Sequence, residues 1–126
     1  MATITEDYVS FETAKLLKEK GFNEGCRSHY GTAGSFSYEK YEVESSECEM
    51  HNAILAPTLQ MTMKWLRKVH KISIEIVSNG YLIDNDVYWE CDIKAGHRLY
   101  FKHITNEKSF ESCAEAAIKY CLKNLI

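Results

Sequence analysis

The sequence predicts an α+β protein: a three-stranded or larger antiparallel sheet with helices packed on one face. Three observations carry that reading. Apolar residues recur at helical spacing near both ends and in the middle of the chain. Between residues 72 and 102 the period drops to two. The strand-like runs are grouped rather than alternating with helices, so a parallel sheet is not expected. The element order is helix, irregular hairpin region, helix, three strands, helix. With 126 residues and no linker-like stretch, the expectation is one domain over 1–126, with an irregular loop or hairpin insertion at about 23–56.

The first helix is expected over Phe11–Lys20. Ser10 can accept from the first free amides, Glu12 suits the positive helix start, and Gly21 followed by Phe22 offers a left-handed stop with an apolar latch. Its stripe of Phe11, Ala14 and Leu17 is narrow, as on a surface helix. Residues 23–56 are poor in aliphatics until Ile54 and Leu55. Within them "SFSYEKYEV" has Phe36 and Tyr38 in one phase, then Tyr41 and Val43 in phase after a slip, which implies a bulge or short hairpin. After Pro57, Thr58 can cap a helix with Leu59, Thr62 or Met63, Leu66 and Val69 on one side, and Lys64, Arg67, Lys68 and Lys71 largely on the other.

Three strands follow in a meander. Ile72, Ile74 and Ile76 alternate with Ser73 and Glu75, and Asn79-Gly80 suits a tight turn. Val87, Trp89, Cys91 and Ile93 form the apolar phase of the second run. In the third run Leu99 and Phe101 form the apolar phase, with Arg98, Tyr100 and Lys102 in the other. Ser109 caps the last helix, whose broad stripe of Phe110, Cys113, Ala114, Ala117, Ile118, Cys121, Leu122 and Leu125 marks it as a core helix.

Composition excludes several function classes. A net charge of −3 supplies no global basic field for nucleic acid or an anionic membrane. No apolar run approaches a membrane span, and the N-terminus lacks the basic-then-apolar layout of a signal peptide, so the expected location is cytoplasmic. An odd count of 5 cysteines without export signals points to reduced thiols. Neither a phosphate-binding glycine loop nor a nucleophile triad is visible, and no residue nominates itself as catalytic.

Two candidate sites stand out. Cys26 with His29 and Cys48 with His51 form two Cys-x-x-His pairs. Such pairs can each turn inward on a knuckle and close a tetrahedral, structural zinc site, no cofactor being expected otherwise. The alternative is a loop that gathers Cys and His by chance. The second candidate is the solvent phase of the sheet, where Tyr88, Tyr100, Arg98, Lys102 and Glu90 are residue types that anchor interfaces. Cross-strand pairs that merely stabilise the sheet are the alternative there.

Two resemblances add to this reading. Residues 58–125 follow the element order of double-stranded-RNA-binding domains, and "SFESCAEAAIKYCLKNL" resembles their alanine-rich last helix. Where those domains carry a lysine pair the chain has Phe110, Glu111 and Ser112, and "SNGYLIDND" replaces their loop between the first two strands. The stretches "EDYVSFETAKLLKEKGF", "APTLQMTMKWLRKVHKISIEI" and "SFESCAEAAIKYCLKNLI" resemble short uncharacterised proteins of gut Bacteroidales and of their phages and mobile elements. That resemblance implies provenance and carries no functional residues with it. The functional expectation is a non-enzymatic binding or accessory protein, phage or mobile-element encoded, using the Tyr88 and Tyr100 face or the 23–56 region to meet a protein partner or its own copy. A zinc-stabilised module associated with nucleic acid and a protein that binds or sequesters a small ligand are the alternatives.

Overall fold

The computed structural model describes residues 6–78, 87–96 and 100–126, with the backbone alone at residues 100 and 101. The fold is α+β: four helices and two three-stranded antiparallel sheets among the described residues. It divides into two compact units, Met1–Leu59 and Gln60–Ile126. No described helix is long and apolar enough to cross a membrane.

In the first unit, α1 (Phe11–Glu19) begins where Ser10 Oγ accepts from the Thr13 amide at 3.2 Å. It ends in a Schellman motif: the Phe22 amide donates to the Leu17 carbonyl and the Gly21 amide to that of Lys18, with Gly21 at φ +91°. Phe22 is buried at that latch, as the sequence implied. The chain then builds β1 (Cys26–Tyr30), β2 (Phe36–Val43), the short α2 (Ser45–Met50) and the two-residue β3 (Ile54–Leu55). The sheet order is β2-β1-β3, which leaves β2 on an edge. The stretch expected to be irregular thus makes a sheet of its own. The helix α2 stops the same way as α1, with Asn52 at φ +54° and the Ala53 amide donating to the Cys48 carbonyl at 2.7 Å. Asn is one of the few side chains that tolerates that conformation.

The second unit holds α3 (Leu59–His70) from its second residue onward, then β4 (Ile72–Ser78), β5 (Trp89–Ala95), β6 (Tyr100–Glu107) and α4 (Phe110–Asn124). Thr62, Met63, Trp65 and Leu66 of α3 are buried as its stripe requires, but Val69 near the C-terminal end is exposed. The strands form the expected meander β4-β5-β6 with α4 packed against all three. Cys91, Ile93 and Ala95 of β5 are buried, as are Cys113, Ala114, Ala117, Ile118, Cys121 and Leu122 of α4. Ser109 and Ser112 close a reciprocal capping box at the start of α4.

One strand departs from expectation. Trp89 pairs with Glu107 but Cys91 pairs with Ile104, so β6 carries one extra residue between those pairs. Asn106, at φ +63°, sits in that bulge. Beyond it the register sets Asp92 opposite His103, Ile93 opposite Lys102 and Lys94 opposite Phe101. Paired residues share a face, so the alternation expected for β6 is inverted at Lys102 and His103. Without the extra residue, His103 would lie opposite Ile93. The expected Asn79-Gly80 turn, and Arg98 and Leu99, lie outside the described residues.

Candidate functional site

Strand β2 is exposed along nearly its whole length, on both faces. Phe36 is 45% exposed, Tyr38 55% and Tyr41 73%, and Met50 of the following helix is 78% exposed. Local sequence explains this. Glu39, Lys40 and Glu42 interrupt the aromatic positions, so neither phase is apolar enough to be buried.

The two ends of β2 are held differently. At the start, Gly31 and Ser35 close the turn from β1, the Gly31 amide donating to the Ser35 carbonyl at 2.9 Å. Gly34, at φ +82°, brings its backbone against the Phe11 ring, where a Cβ would lie 3.1 Å from a ring carbon. Phe36 meets Tyr8 and Tyr30 with ring centroids 5.0 and 5.5 Å apart, and the Tyr30 hydroxyl donates to the Val9 carbonyl at 2.6 Å. Further along, Ser28 pairs with Tyr38 while Cys26 pairs with Val43. Four residues of β2 therefore bow out opposite Arg27. The Arg27 guanidinium fills the bow, donating to the Lys40 carbonyl at 2.7 Å and the Tyr38 hydroxyl at 3.1 Å. One side chain thereby replaces the missing ladder bonds.

Beneath this bow lies a cleft of about 450 Å³. His29, Cys48 and His51 line it together with Glu39, Glu42 and Glu47. Three of the four sequence-predicted metal ligands thus reach one cleft. Cys26 does not line it: its thiol donates to the Glu24 carbonyl at 3.4 Å. The cause is the pleat, because residues three apart on a strand point to opposite faces, so Cys26 and His29 do not form a knuckle. Among the described residues no group of three or more His, Cys, Asp and Glu side chains is placed to hold a metal ion. Burial first, then the neighbouring Cys48, pushes the Cys26 thiol up to about 12, and burial raises Cys48 as well. Both are protonated at neutral pH. The Nδ1 atom of His29 is buried without a hydrogen-bond partner, and its Nε2 stands 3.9 Å from Glu39 Oε1.

The residues expected on the solvent face of the second sheet are only partly brought together. Glu90 is on the open face with Glu75 and Asp92, as the register of β4 and β5 requires. Lys102 is not: it pairs with Ile93, and its Nζ lies 5.3 Å from the Tyr120 ring of α4. Tyr100 pairs with Ala95 in the backbone register, Tyr88 is half-buried just before β5, and Arg98 lies outside the described residues. Among the described side chains, this face carries a charged cluster. His103 Nδ1 lies 2.6 Å from Asp92 Oδ1 and its Nε2 3.6 Å from Glu90 Oε2, while Lys94 meets Glu75 at 3.4 Å. The hydrogen bond with Asp92 raises the His103 imidazole above its ordinary value, and the charges of Asp92 and Glu90 add to this.

Tyr38 and Tyr41 fall within the 23–56 region that the sequence offers as a contact surface, though neither is singled out there as a candidate. The signal was available: aromatic residues alternating with charges, and a phase slip between them, describe a strand with no apolar face. Compared with known proteins, the chain matches no family model, no curated protein and no solved structure.

Proposed function

We propose that the chain is a non-enzymatic binding or accessory protein that acts by protein–protein contact, with β2 and the adjoining α2 as its contact surface. The observation that supports this is the exposure of Phe36, Tyr38 and Tyr41 on an edge strand. Large aromatic side chains contribute much contact area for little lost rotamer freedom, and they anchor interfaces. An edge strand also presents backbone donors and acceptors that a partner strand can satisfy. The one thiol lining the neighbouring cleft, Cys48, is buried and raised by that burial, and the His103, Asp92 and Glu90 cluster lies on an exposed sheet face, so neither arrangement favours covalent chemistry. A cytoplasmic setting is part of the proposal, in the host cell if the protein is borne by a phage or mobile element.

The test is a photo-reactive phenylalanine analogue in place of Tyr41, with Lys123 on the last helix as the control position, irradiated in the producing cell. The expected result is a discrete adduct at position 41 and none at 123. No adduct at 41, or equal labelling at both, would sink the reading. A second reading draws on the cleft, whose volume falls within the roughly 300–1,000 Å³ of small-ligand sites: a small molecule held against His29 and His51. A mass excess surviving gentle native mass spectrometry, lost on unfolding, is its expected signature.

A further inference from the structure

We infer that the occupant of the β2 edge is a second copy of this chain, paired antiparallel across a two-fold axis at Tyr41. The inference rests on the contact surface proposed above and narrows it. Four observations carry it: the edge position of β2, the direction of its backbone groups, the order of its charges, and the symmetry an antiparallel pair must obey.

Along a strand, successive residues direct their amide and carbonyl groups to opposite edges. The Lys40 carbonyl is taken by Arg27 of β1, so it points inward to the sheet. The amide and carbonyl of Tyr41 are therefore turned to the outer edge, as a hydrogen-bonded pair with a neighbouring strand requires. Arg27 thus sets which part of the strand is offered.

Symmetry then limits the registers. Two identical antiparallel strands sharing a sheet are related by a two-fold axis perpendicular to it, and that axis keeps each side chain on its own face. Paired residues must share a face, so the axis passes through a residue and not between two. Centring on Glu39 or on Lys40 sets like charges opposite each other, which is destabilising. Centring on Tyr38 leaves Lys40 opposite Phe36. Centring on Tyr41 sets Tyr41 against its own copy, flanks it with Lys40 against Glu42 twice over, and places Glu39 against Val43. Only this register across Glu39–Val43 makes two opposite-charge pairs and no like-charge pair. Elsewhere the same charges oppose pairing, so the edge is protected against other strands.

The test uses two charge reversals at exposed positions, Lys40→Glu and Glu42→Lys, each confirmed as folded by circular dichroism. Mass is read by light scattering and native mass spectrometry. The wild type is expected to dimerise reversibly with concentration. Each single variant sets two like-charge pairs in the interface and should dimerise at least about tenfold more weakly. An equimolar mixture of the two variants restores both pairs and should form the heterodimer at close to wild-type strength, as should the double variant with itself. A wild type that stays monomeric up to its solubility limit overturns the inference. It leaves the photo-crosslinking test free to identify another protein on β2. Dimers unaffected by either reversal, or variants that fail to recover on mixing, also overturn it, since the contact then lies elsewhere or in another register.

Discussion

His103 shows how one residue's surroundings reassign its part. On the open sheet face it is 41% exposed and bound to Asp92 at 2.6 Å, with Glu90 and Lys94 on the same face. Because the Asp92 hydrogen bond raises the imidazole above its ordinary 6.5, the folded protein binds that proton more tightly than the unfolded chain. The pair's stabilisation is therefore fully present below pH 6.5 and is lost as pH rises through the elevated value. Asp92→Asn is expected to lower the His103 titration midpoint in NMR. It should also reduce stability at about pH 6 more than at alkaline pH. An unchanged midpoint would remove the hydrogen bond from the account. At this scale the sequence was most informative where the interaction is local. Ser10, Gly21 and Ser109 were legible as caps because the groups they satisfy lie within a few residues. The pairing of His103 was not legible, since its partner is 11 positions away in sequence.

Among the elements, β6 is governed by one inserted residue. Its amphipathic phase reads plainly in the sequence, yet the bulge at Asn106 inverts that phase against β5 at Lys102, His103 and Ile104. A helix cap is a property of a few neighbouring residues, whereas register is a property of two strands, and a slip of one exchanges their faces. Asn106 at φ +63° supports the bulge because its short polar side chain tolerates a left-handed backbone. Asn106→Gly is expected to be nearly neutral in urea unfolding. Asn106→Val should cost about 1–2 kcal/mol, since a β-branched side chain clashes there. Equal stability of the Val and Gly variants would show that the bulge does not depend on the left-handed residue. Strand β2 makes the complementary case. Its slip between Tyr38 and Tyr41 was legible as an irregularity, but the Arg27 side chain that fills the bow comes from another strand.

At the scale of the whole molecule, the cysteines test the account of both candidate sites together. All five are free and buried. Native protein is expected to show no fast-reacting thiol and all five on unfolding. Its native mass should include no zinc per chain, and a chelator should leave Tm unchanged, because the β1 pleat separates Cys26 from His29. A stoichiometric zinc adduct lost with stability on chelation would reverse that conclusion and require β1 to be rebuilt around the metal. The sequence by itself determined the α+β class, the capped starts of α1 and α4 and the meander, though not the short α2, because periodicity and capping are short-range consequences of side-chain size, polarity and backbone freedom. It also located the four residues of the two Cys-x-x-His pairs, three of which line one cleft. Only the tertiary structure decided that Cys26 lies outside that cleft, that Lys102 turns toward α4 while His103 meets Asp92, and that β2 is an edge strand among the described residues. Those outcomes depend on which strand lies beside which and in what register, and side-chain direction alternates with every residue.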